Sequence, residues 1–399
     1  VSSWGGWLTC LVNGLDDRVK SATPTYGTGS CHVAVNASHE HDGTEPSAWR
    51  VSWGEVFDPK NFIADQHGAL MHINGTNDFF GYLPVADRQL AALKVDHRRS
   101  VSANCDHCLS TETIEAALAW HDAHLKGDGS FPGEPVVSLA LGEDGMVTAR
   151  VQVDESCPVT AVQVDYRRGD MAQVLGCWLQ SPARPVETGL WTAPIPLVNV
   201  HDKLSVIAQV TYSDRYTISS AVASEIPASD LPGAKVTDKP TDILSDWDHL
   251  TDGWALQRGP EYFDLTMPFA RLTSAILDGR QAMVVVGPRD YNQLVLTTHL
   301  PADAGLKKGG TRGLEIWTHD VAQLHIHTNV FMTRADFKTH HLMIEPGNGW
   351  QRNVVRTEAF KGDDDKVDMA DWSEVYRLIF HSIATPGGTP GIGLVRWVE

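Results

Sequence analysis

Cysteine is scarce in this chain, with six in 399 residues, at positions 10, 31, 105, 108, 157 and 177. That is too few for disulfides to stand in for a hydrophobic core. Long apolar runs are missing as well. None approaches the ~18–20 residues of a membrane-crossing helix, so no membrane span is expected. Positive charge is short: 32 Lys and Arg stand against 50 Asp and Glu, a formal net charge of −18. Such a field repels polyanions, which argues against nucleic acid as a partner and disfavours anionic membrane surfaces. A methionine start is lacking too. The chain opens Val1-Ser2-Ser3-Trp4-Gly5-Gly6 with no signal peptide, as a fragment, a processed chain or an incomplete reading frame would. With 42 % hydrophobic and 21 % charged residues, what remains is ordinary globular composition.

Three stretches read differently. In residues 1–131 helix-like and strand-like segments alternate, the pattern of a parallel sheet with flanking helices. Trp7 to Leu15 carries apolar residues at helical spacing after a Gly-rich turn. Leu70-Met71-His72-Ile73 is a short apolar strand running into the turn Asn74-Gly75-Thr76-Asn77-Asp78. Val101 to Asn104 is a second short strand. Thr111 to Lys126 reads as a helix capped by Thr111, with Ile114, Leu118 and Leu125 as its apolar face and Gly127 as its stop. Residues 132–231 hold no convincing helix, and their strands, such as 136–141, 159–166 and 204–212, suggest a small antiparallel sandwich. Pro227 to Pro240 has the composition of a linker. Residues 241–399 are strand-like again, clearest at 282–286, 293–298, 314–317, 324–331 and 393–398, and suggest a larger sandwich of jelly-roll type.

The chemistry begins at Ser3. A nucleophilic serine on a strand-to-helix elbow needs small neighbours, because the turn is strained. Ser3-Trp4-Gly5 supplies the second half of a Gly-x-Ser-x-Gly pattern, with Val1 where the first Gly would stand, and Gly6 adds room. The N–H of Trp4 would then be half of an oxyanion hole. Asp78 follows an apolar strand, at the end of the sheet where open α/β folds bind ligands. His107 follows the next strand and precedes a helix. The order Ser3, Asp78, His107 is that of an α/β-hydrolase triad. In it His107 takes the serine proton, and Asp78 fixes the tautomer and stabilises imidazolium.

These residues also carry a family resemblance. Ser3-Trp4-Gly5-Gly6, Pro24-Thr25-Tyr26-Gly27-Thr28-Gly29, Phe57-Asp58-Pro59, Asn74-Gly75-Thr76-Asn77-Asp78-Phe79 and His107 resemble the second half of α/β-hydrolases of the acetylxylan-esterase and dienelactone-hydrolase-like group. The resemblance covers roughly residues 1–131. It implies a serine carboxylic ester hydrolase that needs no metal and no other cofactor, with Ser3, Asp78 and His107 as its triad. It also implies an acylated carbohydrate or other ester as substrate and a secreted or periplasmic location. Residues 133–224 resemble an immunoglobulin-like module, on the strength of Ala208 to Tyr212 and Tyr216 to Ser220. The last stretch is similar to galactose-binding-like or carbohydrate-binding jelly rolls through Gly349-Trp350-Gln351, Asp363-Asp364-Asp365 and Asp371-Trp372.

The expected architecture is therefore a multidomain chain. Residues 1–131 form the C-terminal part of an α/β-hydrolase, and two antiparallel β-sandwiches follow at 132–231 and 241–399. Sugars stack on exposed aromatic rings. Trp350 and Trp372 are the expected carbohydrate platforms, whereas Trp317 and Trp397 are assigned to the core. Two other functions use the same sequence: an α/β-hydrolase-type serine peptidase, and a non-catalytic carbohydrate-binding protein.

Competing sites are weaker. Asp58 is a possible alternative acid, though Asp before Pro usually starts a turn. His97 reads as surface. His39, Glu40, His41 and Asp42 have metal-ligand side chains but sit in a polar loop. Cys105-Asp106-His107-Cys108 is a lone CxxC, short of the four ligands of a zinc site. His325 and His327 share a strand face without a third ligand in view. Cys157 and Cys177 read either as a bridge or as two thiols.

Overall fold

The computed structural model describes residues 3–27, 29, 48–78, 81–105, 107, 109–127, 131–169, 176–239, 242–245, 254–256, 271–286, 293–299, 312–333, 336–362, 372 and 375–399. The chain divides into one unit of residues 1–175 and 181–237 and a second of residues 176–180 and 238–399.

The first unit is built on a mixed sheet. Strands β1 (Ser21–Ala22), β2 (Ala69–Gly75) and β3 (His97–Ser102) are parallel, with Ser21 opposite Ala69 and Leu70 opposite His97. All of β2 beyond Ala69 is buried, as a central strand covered on both faces must be. Helices α1 (Trp4–Leu15), α2 (Ala48–Val56), α3 (Leu83–Leu90) and α4 (Thr111–Lys126) belong to this half. Helix α4 packs against β1, β2 and β3. Its cap is Ser110, whose Oγ accepts the Thr113 N–H at 3.3 Å, and it stops at Gly127 with φ 71°. Its buried face is Thr111, Thr113, Ile114, Ala116, Ala119 and Trp120, and Leu118 and Leu125 face outward, contrary to the face read from the sequence.

The remaining strands up to residue 225 are β4 (Val136–Leu141), β5 (Val147–Gln152), β6 (Val159–Arg168), β7 (Leu179–Pro182, which begins in residues counted with the second unit), β8 (Arg184–Glu187), β9 (Leu190–Ile195), β10 (Leu204–Tyr212), β11 (Tyr216–Ser219) and β12 (Ala223–Glu225). One sheet runs β1-β2-β3-β11-β10-β6-β7, with β12 also on β10, and a second runs β4-β5-β9-β8. The smaller sheet lies over the larger through β4 on β10 and β12, and β9 on β6. This is a small sandwich. The division placed after residue 131 is thus bridged by a continuous sheet, because β11 pairs antiparallel with β3 at Ser219 and Arg99. Side chains close that seam. Val101 N–H donates to Ser219 Oγ at 2.8 Å, Gln209 Nε2 to the Val101 carbonyl at 2.9 Å, and Ser100 Oγ to the Thr217 carbonyl at 2.7 Å.

The second unit is all β among its described residues, apart from 3₁₀ structure at Thr357–Ala359 and at Trp372. Its strands are β13 (Ile243–Ser245), β14 (Trp254–Leu256), β15 (Arg271–Leu277), β16 (Arg280–Val286), β17 (Gln293–His299), β18 (Gly313–Thr333), β19 (Asp336–Ile344), β20 (Gly347–Val355), β21 (Lys361–Gly362), β22 (Val375–Ala384) and β23 (Gly391–Val398). The two strands read at 314–317 and 324–331 are one strand of 21 residues. Its first half pairs with β20 and β23, its second half with β19 and β22. The change of partners occurs where Asp320 has φ 50° and the register slips. Asp320 Oδ1 accepts the Gly349 N–H at 2.8 Å and holds that corner. A bent strand of this kind lets two sheets share one core. Leu314, Ile316, Leu324 and Ile326 point into that core from β18, with Trp254, Phe360, Trp372, Phe380 and Trp397 around them.

Candidate functional site

Ser3 opens α1 with φ 59° and ψ −127°, a conformation that L-residues rarely adopt. Its side chain does not cap the helix, and its hydroxyl makes no hydrogen bond among the described residues. Strain of this kind persists only when the surroundings enforce it. Here the Ser3 N–H donates to the Thr25 carbonyl at 3.0 Å, and the Gly6 N–H returns to the Ser3 carbonyl at 2.8 Å. A Cβ on Gly6 would stand 2.3 Å from Thr25 O, so only glycine permits the approach. Trp4 is the first residue of α1, at the positive end of the helix dipole. Its ring is half exposed and meets Trp7 edge-on at 4.8 Å between centroids.

Asp78 and His107 are brought together by two neighbouring loops. Thr76 N–H donates to the Ser102 carbonyl and Asn77 N–H to the Cys105 carbonyl, each at 3.0 Å, while Asn104 N–H returns to Thr76 Oγ1 at 2.8 Å. The loops after β2 and β3 therefore run side by side. His107 Nδ1 lies 2.6 Å from Asp78 Oδ2. Asp78 is 1 % exposed, and its other oxygen accepts the Gly81 N–H. A side chain at Gly81 would collide with Asn74 and the Tyr26 carbonyl, so that turn is also fixed by close backbone approach. The imidazole is part-exposed, and the Tyr26 ring lies 4.0 Å from it between centroids. Tyr26 follows Thr25, the residue that holds Ser3. The sequence reading missed Tyr26 as a support, and its unusual φ of 69° only shows in three dimensions.

The competing residues have other roles. Asp58 is fully buried, and its carboxylate accepts the Lys60 N–H at 2.9 Å at the start of a 3₁₀ turn. His97 Nδ1 meets the Val95 carbonyl at 3.0 Å. Cys105 is in a disulfide, whereas Cys157 and Cys177 are thiols, so the 157–177 bridge is excluded. His39, Glu40, His41, Asp42 and the acidic run 363–365 lie outside the described residues. Among the described residues no group of three or more His, Cys, Asp or Glu is arranged to hold a metal ion. No helix among them is long and apolar enough to cross a membrane.

The aromatic platforms need one correction. Trp372 is 2 % exposed, packs against Phe360 and Trp397, and donates Nε1–H to the Arg312 carbonyl at 2.8 Å. It is core and cannot present a face to a sugar. Trp350 does reach the surface, and its partner is Trp317, which the sequence reading placed inside. Both belong to a cavity of about 240 Å³ on the face shared by β16, β18, β20 and β23. Arg280 lies over the Trp317 ring at 4.1 Å and within 6.0 Å of Trp350. Trp350 is pinned by its Nε1–H to the Leu277 carbonyl at 2.7 Å. Glu315 is the buried anchor: its side chain is 1 % exposed and takes Arg352 at 2.6 Å, Trp317 Nε1 at 2.8 Å and Arg396 at 3.2 Å. Burial opposes its charge, but the hydrogen bonds from Arg352 and Trp317 and the two guanidinium charges outweigh that, and the carboxyl sits below its ordinary range. The signal was period-2 alternation: Glu315 and Trp317, Trp350 and Arg352, and Leu394 and Arg396 share one sheet face.

No family model matches the chain, and no curated protein matches it. Solved structures similar to it include a family 11 carbohydrate-binding module from Clostridium thermocellum in complex with a β-1,3-1,4-mixed-linked tetrasaccharide. It is 11 % identical, covers 41 % of this chain and 98 % of its own, and has a TM-score of 0.30. A family 28 module specific for non-crystalline cellulose is 12 % identical over 40 % of this chain and 93 % of its own, with a TM-score of 0.24. A GH43 protein from Bacillus licheniformis is 10 % identical over 68 % of this chain and 66 % of its own, with a TM-score of 0.20. At these scores the function rests on the geometry above.

Proposed function

We propose that the first unit is a serine carboxylic ester hydrolase of α/β-hydrolase type, acting on an acylated carbohydrate. The observation that carries this reading is the 2.6 Å contact between His107 Nδ1 and the buried Asp78 carboxylate, in loops that follow adjacent parallel strands. An aspartate placed there holds the imidazole with Nε2 available as base and offsets the imidazolium charge. The strained turn at Ser3 adds support, since it projects a hydroxyl from the start of a helix. In the reaction His107 Nε2 takes the Ser3 proton as Oγ attacks the ester carbonyl. The Trp4 N–H would stabilise the oxyanion, the alcohol leaves with the proton from His107, and water then repeats the sequence on the acyl-serine. The disulfide at Cys105 fits a secreted or periplasmic location.

The test is hydrolysis of p-nitrophenyl acetate. Ser3→Ala should lower turnover by about 10⁴-fold or more, and Asp78→Asn by about 10⁴-fold. An unchanged rate in Ser3→Ala would sink the assignment. A panel of aminoacyl amides against acetylated xylan separates an esterase from a peptidase with the same triad. Turnover of the amides alone would favour the peptidase.

A second reading concerns the second unit, where Trp317 and Trp350 at a solvent-open cavity favour carbohydrate binding by ring stacking. Loss of oligosaccharide binding in Trp317→Ala, with ester hydrolysis retained, would support it.

A further inference from the structure

The cavity between Trp317 and Trp350 is charged as well as aromatic. Three arginines, Arg280, Arg352 and Arg396, line it against one carboxylate, Glu315. Glu315 is occupied by Arg352 and Arg396. Arg280 meets only the indole faces among the described residues and has no carboxylate partner there. This local excess of positive charge sits in a chain whose net charge is −18, so it is a local arrangement and not the general character of the surface.

We propose that this cavity binds a saccharide carrying a carboxylate, a uronate unit, with Arg280 as the group that reads the charge. The inference rests on the carbohydrate-binding reading of the same cavity. A guanidinium stacked on an indole uses its face for the ring and keeps its in-plane N–H donors for a ligand. Those donors match a carboxylate in bidentate fashion. Arg352 and Arg396, half exposed and anchored on buried Glu315, add positive potential without needing to move. Glu315 also fixes the Trp317 ring through Nε1. At about 240 Å³ the cavity is smaller than the ~300 Å³ at which ligand pockets usually begin. It suits one sugar unit of a longer chain lying across the open sheet face.

The experiment is calorimetric titration of the full chain, carrying Ser3→Ala so that esters survive, with trigalacturonate and with its fully methyl-esterified form. The two ligands have the same rings and differ in charge. Trigalacturonate should bind at least about tenfold tighter than the ester. Arg280→Gln should remove most of that difference, and a variant that keeps the full acid-to-ester ratio overturns Arg280 as the group that reads the charge. Arg280 is exposed, so its replacement leaves the fold intact, and the acid-to-ester ratio in the chain with Arg280 unaltered is a test that needs no variant. Equal affinity for acid and ester overturns the uronate inference and keeps the carbohydrate reading. Binding of neither ligand, or of any neutral oligosaccharide, overturns both.

Discussion

The Ser3 backbone N–H donates to the Thr25 carbonyl at 3.0 Å, and that bond exists because Gly6 carries no side chain. A Cβ there would sit 2.3 Å from the same carbonyl oxygen. Backbone cannot yield as a flexible side chain can, so Gly6→Ala should push the first turn of α1 away from Thr25. The displaced Ser3 would lose its alignment, and a misplacement near 1 Å costs about 10²-fold in rate. Melting should fall together with ester hydrolysis. Unchanged values of both would show that the close approach of α1 to Thr25 is not what holds Ser3.

Cys105 ties the loops that carry Asp78 and His107. Its carbonyl accepts the Asn77 N–H at 3.0 Å, one residue before Asp78, and its sulfur is in a disulfide. Reduction should loosen the His107 loop relative to Asp78. The expected result is a fall of about tenfold in ester hydrolysis with far-ultraviolet circular dichroism unchanged. Equal ester hydrolysis after reduction, with the loss of the disulfide verified by mass spectrometry, would remove the disulfide from the account of the site.

The order of strands and helices in the first unit was legible because apolar runs and turn residues are local signals. Leu70 to Ile73 and Asn74 to Asp78 read as a strand and turn, and β2 with its following turn lies there. The continuous sheet was not legible. Its seam between β3 and β11 is a single register pair completed by Ser100, Gln209 and Ser219, polar residues that carry no sequence signature of pairing across more than a hundred positions. The bend in β18 was hidden for a similar reason. Asp320 looks like a turn residue, so one strand appeared as two. Trp317 reads as core because a Trp in a strand usually packs there; the alternation of Glu315 and Trp317 beside Trp350 and Arg352 is the pattern that marks the open face.

Trp372 and Trp317 make opposite predictions. Trp372 is 2 % exposed among core aromatics, so Trp372→Ala should cost about 3–5 kcal/mol of stability. Trp317 packs on Arg280 at the surface of the cavity, so Trp317→Ala should cost under about 2 kcal/mol and abolish saccharide binding. Denaturant titration and calorimetric binding measure the two effects separately. A Trp317→Ala chain as unstable as Trp372→Ala would make Trp317 a structural residue.

Asp165, fully buried on β6, supplies a pH test of the first unit. Burial pushes its carboxyl up to about 6 from 3.8, against the opposing hydrogen bonds of Gln163 and Gln209. The folded state therefore keeps a proton that the unfolded chain has already released. Between pH 3.8 and about 6 stability falls as pH rises, and above that window the whole penalty is present. A rise of about two units corresponds to ~3 kcal/mol as an upper scale. Asp165→Asn mimics the protonated side chain and can keep the Gln163 contact, which spans 2.7 Å. It should therefore stabilise the protein near neutral pH and leave stability nearly unchanged below pH 3.8. Thermal melts of both chains across the range measure this directly. A variant less stable than the parent at neutral pH would mean that the charged carboxylate is needed on β6.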